Sequence, residues 1–213
     1  MTDSFPRQNA RTQRFTLGTP RNFSITADGA FVIFLRSREA EDSRTCLWSI
    51  EIATGTEELL ADPILILGDS DENLPPAEKI RRERARESAS GILNYSADAS
   101  GRKFVFALAG DLYISELGQI EPSRIEANPG VYDPRISPDG KKVAYVVGSE
   151  FYVISGIDLE ATESSILEND QDISWGTAEF VAAEEMRRER GYWWLPDSSG
   201  LIVARTDHAD VQK

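Results

Sequence analysis

Apolar residues in this chain gather in short runs, and four of those runs follow the same kind of polar turn. Ile25-Thr26-Ala27-Asp28-Gly29 precedes Phe31-Val32-Ile33-Phe34, and Tyr95-Ser96-Ala97-Asp98-Ala99-Ser100-Gly101 precedes Phe104-Val105-Phe106. Ile136-Ser137-Pro138-Asp139-Gly140 precedes Val143-Ala144-Tyr145-Val146, and Leu195-Pro196-Asp197-Ser198-Ser199-Gly200 precedes Leu201-Ile202-Val203. Proline presets the first turn position, aspartate bonds its own backbone, and glycine accepts a positive φ. The β-branched and aromatic run that follows each turn is predicted to be a strand. After three of the turns comes a second apolar run with an aromatic near its middle: Cys46–Ile50, Asp111–Ile114 and Glu150–Ile154. A short last strand such as Glu57-Glu58-Leu59-Leu60 closes the unit.

Each unit is therefore a small antiparallel meander, the form of a propeller blade. A β-sandwich also supplies many short strands, but recurrence of one turn before one strand favours blades. The expected fold is all-β, a partial β-propeller with two short helical insertions. Only the interval from Gly101 to Gly140 has the length of a bare blade of about 40 residues. The intervals from Gly29 to Gly101 and from Gly140 to Gly200 are longer, and each holds a segment of helical character. Propellers display their chemistry on loops, so these insertions are the places to look for function.

The first insertion, residues 73–90, begins Asn73-Leu74-Pro75-Pro76, with proline tolerated in a first helical turn. From Glu78 to Glu87 it carries five basic against three acidic residues. Glu78 and Arg82 stand at attractive i, i+4 spacing, while Glu83 and Glu87 repel at the same spacing. Read from spacing alone, this is a solvated helix of mixed charge or a guanidinium aimed inward at a carboxylate or carbonyl. The second insertion, residues 174–194, opens Ser174-Trp175-Gly176-Thr177, with Thr177 a candidate helix cap. It then reads Ala178-Glu179-Phe180-Val181-Ala182-Ala183-Glu184-Glu185-Met186 and runs through Arg190 to Gly191-Tyr192-Trp193-Trp194. The adjacent carboxylates of Glu184 and Glu185 repel each other unless a cation lies near, and surface links to Arg188 are the plain alternative.

Composition narrows the choice of partners. The net charge of −13 disfavours nucleic acid and acidic membrane surfaces. No apolar run is long enough to span a bilayer, and the polar start lacks a secretory pattern. The single cysteine, Cys46, cannot form an internal disulfide, which suits a reducing cytoplasm, and it reads as a small core residue beside Leu47 and Trp48. One histidine, His208, and no Cys/His cluster argue against a metal site, and no cofactor is implied.

Taken together, the blades, the basic run Arg81-Arg82-Glu83-Arg84-Ala85-Arg86 before Gly91-Ile92, the segment Glu179-Phe180-Val181 leading to Glu184-Glu185, and the following Trp193-Trp194-Leu195-Pro196-Asp197 turn resemble the dipeptidyl peptidase IV family, in its bacterial branch. The resemblance runs from about Phe15 onward. It implies the first half or so of an eight-bladed propeller whose Glu184 and Glu185 hold the free amino terminus of a peptide substrate. It also implies that an arginine of the basic run, Arg82 by its place, supports those glutamates and the substrate carbonyl; Arg81, Arg84 and Arg86 are the other choices. Ala182 and Ala183 stand where many members have an aromatic and a third glutamate. The family continues into a C-terminal α/β-hydrolase domain and its members are commonly dimers. Here the sequence ends at Lys213 without a Gly-x-Ser-x-Gly elbow, so no residue of this chain is expected to be catalytic, and His208 reads as a surface residue. A propeller-like binding module without catalysis, and the propeller of a prolyl oligopeptidase or acylaminoacyl peptidase, are the alternatives.

Overall fold

A computed structural model describes residues 4–68, 74, 78–79, 82–83, 89–157, 162–166, 168, 170–186 and 188–210. Its strands form the expected meanders. Blade 1 contains β1 (Arg21–Ile25), β2 (Phe31–Ser37), β3 (Arg44–Glu51) and β4 (Glu57–Ala61), antiparallel in that order. A short β5 (Ser90–Gly91) returns after the first insertion and adds to β3 in parallel. Blade 2 is β6 (Ser96–Ala97), β7 (Lys103–Leu108), β8 (Asp111–Glu116) and β9 (Ser123–Ile125). Blade 3 is β10 (Tyr132–Ile136), β11 (Lys142–Val147), β12 (Glu150–Ser155) and β13 (Thr162–Ile166). The fourth unit pairs β14 (Ile173–Trp175) with β17 (Arg205–Asp207), and β15 (Tyr192–Trp194) with β16 (Leu201–Val203). This is the partial propeller that the repeating turn predicts.

The period-two alternation of each second strand is what joins the blades. In β7, Phe104, Phe106 and Leu108 enter one core with Ile33, Leu35 and Leu47 of blade 1, whereas Val105 enters the next core with Val143 and Tyr145. In β11, Val143 and Tyr145 face blade 2, and Ala144 and Val146 face Tyr192 of the fourth unit. Blades 2 and 3 thus bury both faces against their neighbours. In blades 2 and 3 the third-strand tyrosines lie inside these cores: Tyr113 stacks on Phe106 with ring centroids 5.7 Å apart, and Tyr152 on Tyr145 at 5.2 Å.

The repeated turns also touch one another. The amide of Ala27 donates to the Ser100 carbonyl and that of Ala99 to the Pro138 carbonyl, each at 2.9 Å. The amide of Asp139 donates to Ser198 Oγ, also at 2.9 Å. A ladder of turn-to-turn bonds therefore runs across all four units. Within the turns, Thr26 Oγ1 donates to Asp28 Oδ1 and Ser137 Oγ to Asp139 Oδ1, both at 2.6 Å. Gly29 and Gly140 take the positive φ expected of them, but in the fourth turn Ser198 holds it (φ 61°) in place of Gly200. Ser198 sits directly after its aspartate, as Gly29 and Gly140 do, and its buried hydroxyl is the acceptor in the ladder.

Short helices accompany the strands, among them α1 (Phe5–Arg11), α2 (Pro63–Leu67) and α3 (Phe180–Glu184). In the first insertion Glu78–Lys79 and Arg82–Glu83 are helical, and the rest of residues 75–88 lies outside the described residues. In the second, α3 is the short helix, and its cap is Glu179, not Thr177. The Glu179 carboxylate accepts from the amides of Val181 (2.8 Å) and Ala182 (2.6 Å), while Thr177 pairs with Arg190 in an isolated bridge. A carboxylate reaching two orphan amides at a helix start outcompetes a hydroxyl further away.

Candidate functional site

Residues on β1, just ahead of β6, on β10 and on β15 line one cavity. Counting back from the turns fixes their equivalence, because the amides of Thr26, Asp98, Ser137 and Leu195 make the same turn-closing bond to Phe31, Lys103, Lys142 and Gly200. Three positions earlier stand Phe23, Tyr95, Pro134 and Tyr192. One further back, Asn22 and Asp133 both adopt a positive φ (53° and 46°) where β1 and β10 bulge, a conformation that Asn and Asp tolerate best. The bulges are held from the next blade. Tyr95 Oη bonds the carbonyls of Asn22 (2.7 Å) and Ile33 (3.1 Å), and Tyr192 Oη bonds those of Asp133 and Ala144. Complete burial pushes the Tyr192 phenol well above its usual range.

The cavity, of about 680 Å³, is walled by Arg21 and Asn22 of β1, Leu93–Tyr95 ahead of β6, Tyr132–Arg135 of β10 and Trp193 of β15. The two insertions complete it, the first through Leu74, Glu78 and Arg82, the second through Arg188, Glu189 and Arg190. Arg82 Nε donates to Glu78 Oε1 at 2.8 Å, and both side chains are largely buried, at 12% and 16% exposure. The i, i+4 pair is therefore formed, and the guanidinium faces the cavity instead of bulk solvent. On β10, Arg135 grips Asp133 with two bonds, Nη2 to Oδ1 at 2.6 Å and Nε to Oδ2 at 3.2 Å. Burial raises the Asp133 carboxyl above the ordinary aspartate value, against the pull of Arg135.

Of the residues singled out from the sequence, Arg82 lies in this cavity. Arg81, Arg84 and Arg86 lie outside the described residues. Glu184 ends α3 and Glu185 caps it, its amide donating to the Val181 carbonyl at 2.9 Å; both carboxylates are exposed, and neither lines the cavity. Ala182, on the inner face of α3, is 2% exposed, and its carbonyl accepts from the Arg188 amide. Arg188 directs Nη1 to the Arg190 carbonyl at 3.4 Å, so the plain alternative of an Arg188 link to the glutamates is not the bond it makes. Cys46 is buried, as read. His208 follows β17, half-buried, with Nε2 3.4 Å from Ser174 Oγ. Among the described residues no group of His, Cys, Asp or Glu is arranged to hold a metal, and no helix is long and apolar enough to cross a membrane.

Sequence reasoning missed Asp133, Arg135 and the wall segment Arg188–Arg190. The Asp-Pro-Arg sequence before the third turn was the available signal, but a proline next to two charges reads as loop, not as a bulged inner strand.

A partial propeller whose two insertions meet at one cavity on the inner strands is the class of domain these features define. Residues 90–213 match the family described as the dipeptidyl peptidase IV (DPP IV) N-terminal region, and the chain belongs to that family. Human dipeptidyl peptidase 8 is 26% identical over 136 residues, which covers 56% of this chain and 15% of the relative. The mouse protein is 25% identical over 138 residues, covering 57% and 16%. The crystal structure of Porphyromonas gingivalis dipeptidyl peptidase 4 matches the whole chain and 28% of its own length, with a TM-score of 0.62 at 18% identity. The chain thus spans a minor part of the length of these relatives.

Proposed function

We propose that this chain is the substrate-binding propeller portion of a DPP IV-like serine exopeptidase of the bacterial branch. The observation that carries the reading is the convergence of both insertions on one cavity at the inner strands of four blades. A free amino terminus is an ammonium at neutral pH with three donors. Glu184 and Glu185 accept from it together, and Arg82 supports the arrangement and the substrate carbonyl. Fixing the amine fixes the register of the peptide, so that the second peptide bond is presented for cleavage and a dipeptide is released, with Xaa-Pro ends preferred. Nucleophile, base and proline pocket belong to an α/β-hydrolase domain of the whole protein, which this reading places in the cytoplasm as a homodimer. The chain itself positions substrate and carries out no chemistry.

Binding of Ala-Pro-amide to this chain, followed by calorimetry, tests the anchor. Replacing one carboxylate with the uncharged Glu184→Gln or Glu185→Gln removes a charge-assisted contact of about 1.5–3 kcal/mol, roughly tenfold to a hundredfold in affinity. The two losses should not add, since both groups hold one ion. Acetylating the peptide should weaken binding by at least as much. Unchanged affinity in both glutamine variants would refute the anchor.

A further inference from the structure

Most arginines of the cavity are engaged: Arg82 with Glu78, Arg135 with Asp133, and Arg21 with Thr45 Oγ1 at 3.3 Å. Arg188 and Arg190 differ. Among the described residues neither meets a carboxylate at ion-pair distance: Arg188 bonds only the Arg190 carbonyl, and the Arg190 guanidinium lies over the Trp193 ring, 5.6 Å from its centroid. One carboxylate, the exposed Glu189, stands between them. The charge of Arg190 also acts on the buried Asp133, which Arg135 already grips; three guanidinium groups against two carboxylates leave this side of the cavity locally positive in a chain of net charge −13.

The wall is also rigidly built. The Arg188 amide donates to the Ala182 carbonyl at 2.9 Å, and Arg190 pairs with Thr177. Gly191 then passes so close to the Gly176–Thr177 backbone that a Cβ would lie 2.4 Å from the Thr177 carbonyl oxygen, so only glycine fits. Its amide and carbonyl are both bonded, to Gly176 and Ala204. The two guanidinium groups are therefore presented from fixed backbone, and the indole face restricts one of them further. A guanidinium fork matches a carboxylate with two parallel bonds. The cavity's size, about 680 Å³, falls within the usual span of sites that enclose small ligands and short peptide segments.

We propose that Arg188 and Arg190 form a receptor for carboxylate side chains of a peptide lying in the cavity, beyond its first two residues, so that the chain favours acidic peptides. The proposal rests on the reading of the chain as a peptide-binding propeller, and the experiment separates the two. Three C-terminally amidated peptides are titrated into the chain: Ala-Pro-Asp-Glu, its neutral counterpart Ala-Pro-Asn-Gln, and N-acetylated Ala-Pro-Asp-Glu. The acidic peptide should bind about tenfold more tightly than the neutral one, the lower end of what a charge-assisted contact supplies. That advantage should shrink as salt is raised. The double variant Arg188→Gln, Arg190→Gln should remove the advantage and leave the neutral peptide's affinity unchanged. Arg190→Glu should shift preference toward Ala-Pro-Lys-Lys-amide, a gain that misfolding cannot produce. An acidic peptide that binds no better than the neutral one, that keeps its advantage in the double variant, or that does not bind at all overturns the proposal. Acetylation that costs the acidic peptide no affinity, while it still outbinds its neutral counterpart, overturns the ammonium anchor alone.

Discussion

Replacing Tyr192 with phenylalanine deletes one hydroxyl and little else. The ring is fully buried and packs edge-on against Phe151 with centroids 4.8 Å apart, a contact phenylalanine preserves. What is lost is the bond from Oη to the carbonyls of Asp133 and Ala144, which ties the fourth unit to the bulge of blade 3. A net hydrogen bond contributes about 1 kcal/mol, and a buried carbonyl left without a donor costs a similar amount again. The expected loss is therefore about 2 kcal/mol, or roughly 4–8 °C in Tm for a chain of this size. Urea titration monitored by tryptophan fluorescence should show a lower midpoint at unchanged slope. Tyr113→Phe is the control: that ring is also buried and stacked on Phe106, but its hydroxyl makes no hydrogen bond among the described residues, so its change should stay within about 0.5 kcal/mol. Equal midpoints for the two variants would show that the bond across the bulge contributes nothing.

Two further outcomes follow from buried and turn-bound groups. Burial, reinforced by nearby Asp62, pushes the Cys46 thiol up to about 12, and the side chain is 1% exposed. The native chain should therefore resist a disulfide reagent at mildly alkaline pH and react at once in concentrated urea; rapid native reaction would contradict the packing. Asp139 is held below the ordinary aspartate value of 3.8 by the Ser137 hydroxyl, with the Lys141 amide and charges adding to it. A depressed folded-state pKa stabilises above the unfolded value and is lost as pH falls through the folded one. Asp139→Asn should thus be less stable than the parent at neutral pH, with the gap closing as pH drops through and below 3.8. A gap that does not change with pH would refute the assignment.

The blades were legible because one turn recurs and carries its own chemistry, and the second and third strands of each blade followed from unbroken apolar runs. The first strands were not legible. Tyr132-Asp133-Pro134-Arg135 has no alternation to detect, because its bulge turns consecutive side chains to the cavity and its order comes from a tyrosine far along the chain. Glu179 as a helix cap was likewise hidden, since a glutamate before an aromatic gives no cap signal, and its two amide bonds appear only once the chain turns at residue 180. The Glu78–Arg82 ion pair was legible from i, i+4 spacing, a local relation. The wall formed by Arg188 and Arg190 depends on contact with Thr177 and Gly176, and no local pattern shows it.

The tyrosine contacts across the bulges have a numerical consequence. Blades 1 and 3 carry the bulge, with Phe23 and Pro134 at the position three before the turn; blade 2 and the fourth unit carry Tyr95 and Tyr192 there. The repeat is therefore two blades long, a donor unit following an acceptor unit. Arranged around a circle, such a two-colour pattern closes without placing two like neighbours side by side only when the number of blades is even.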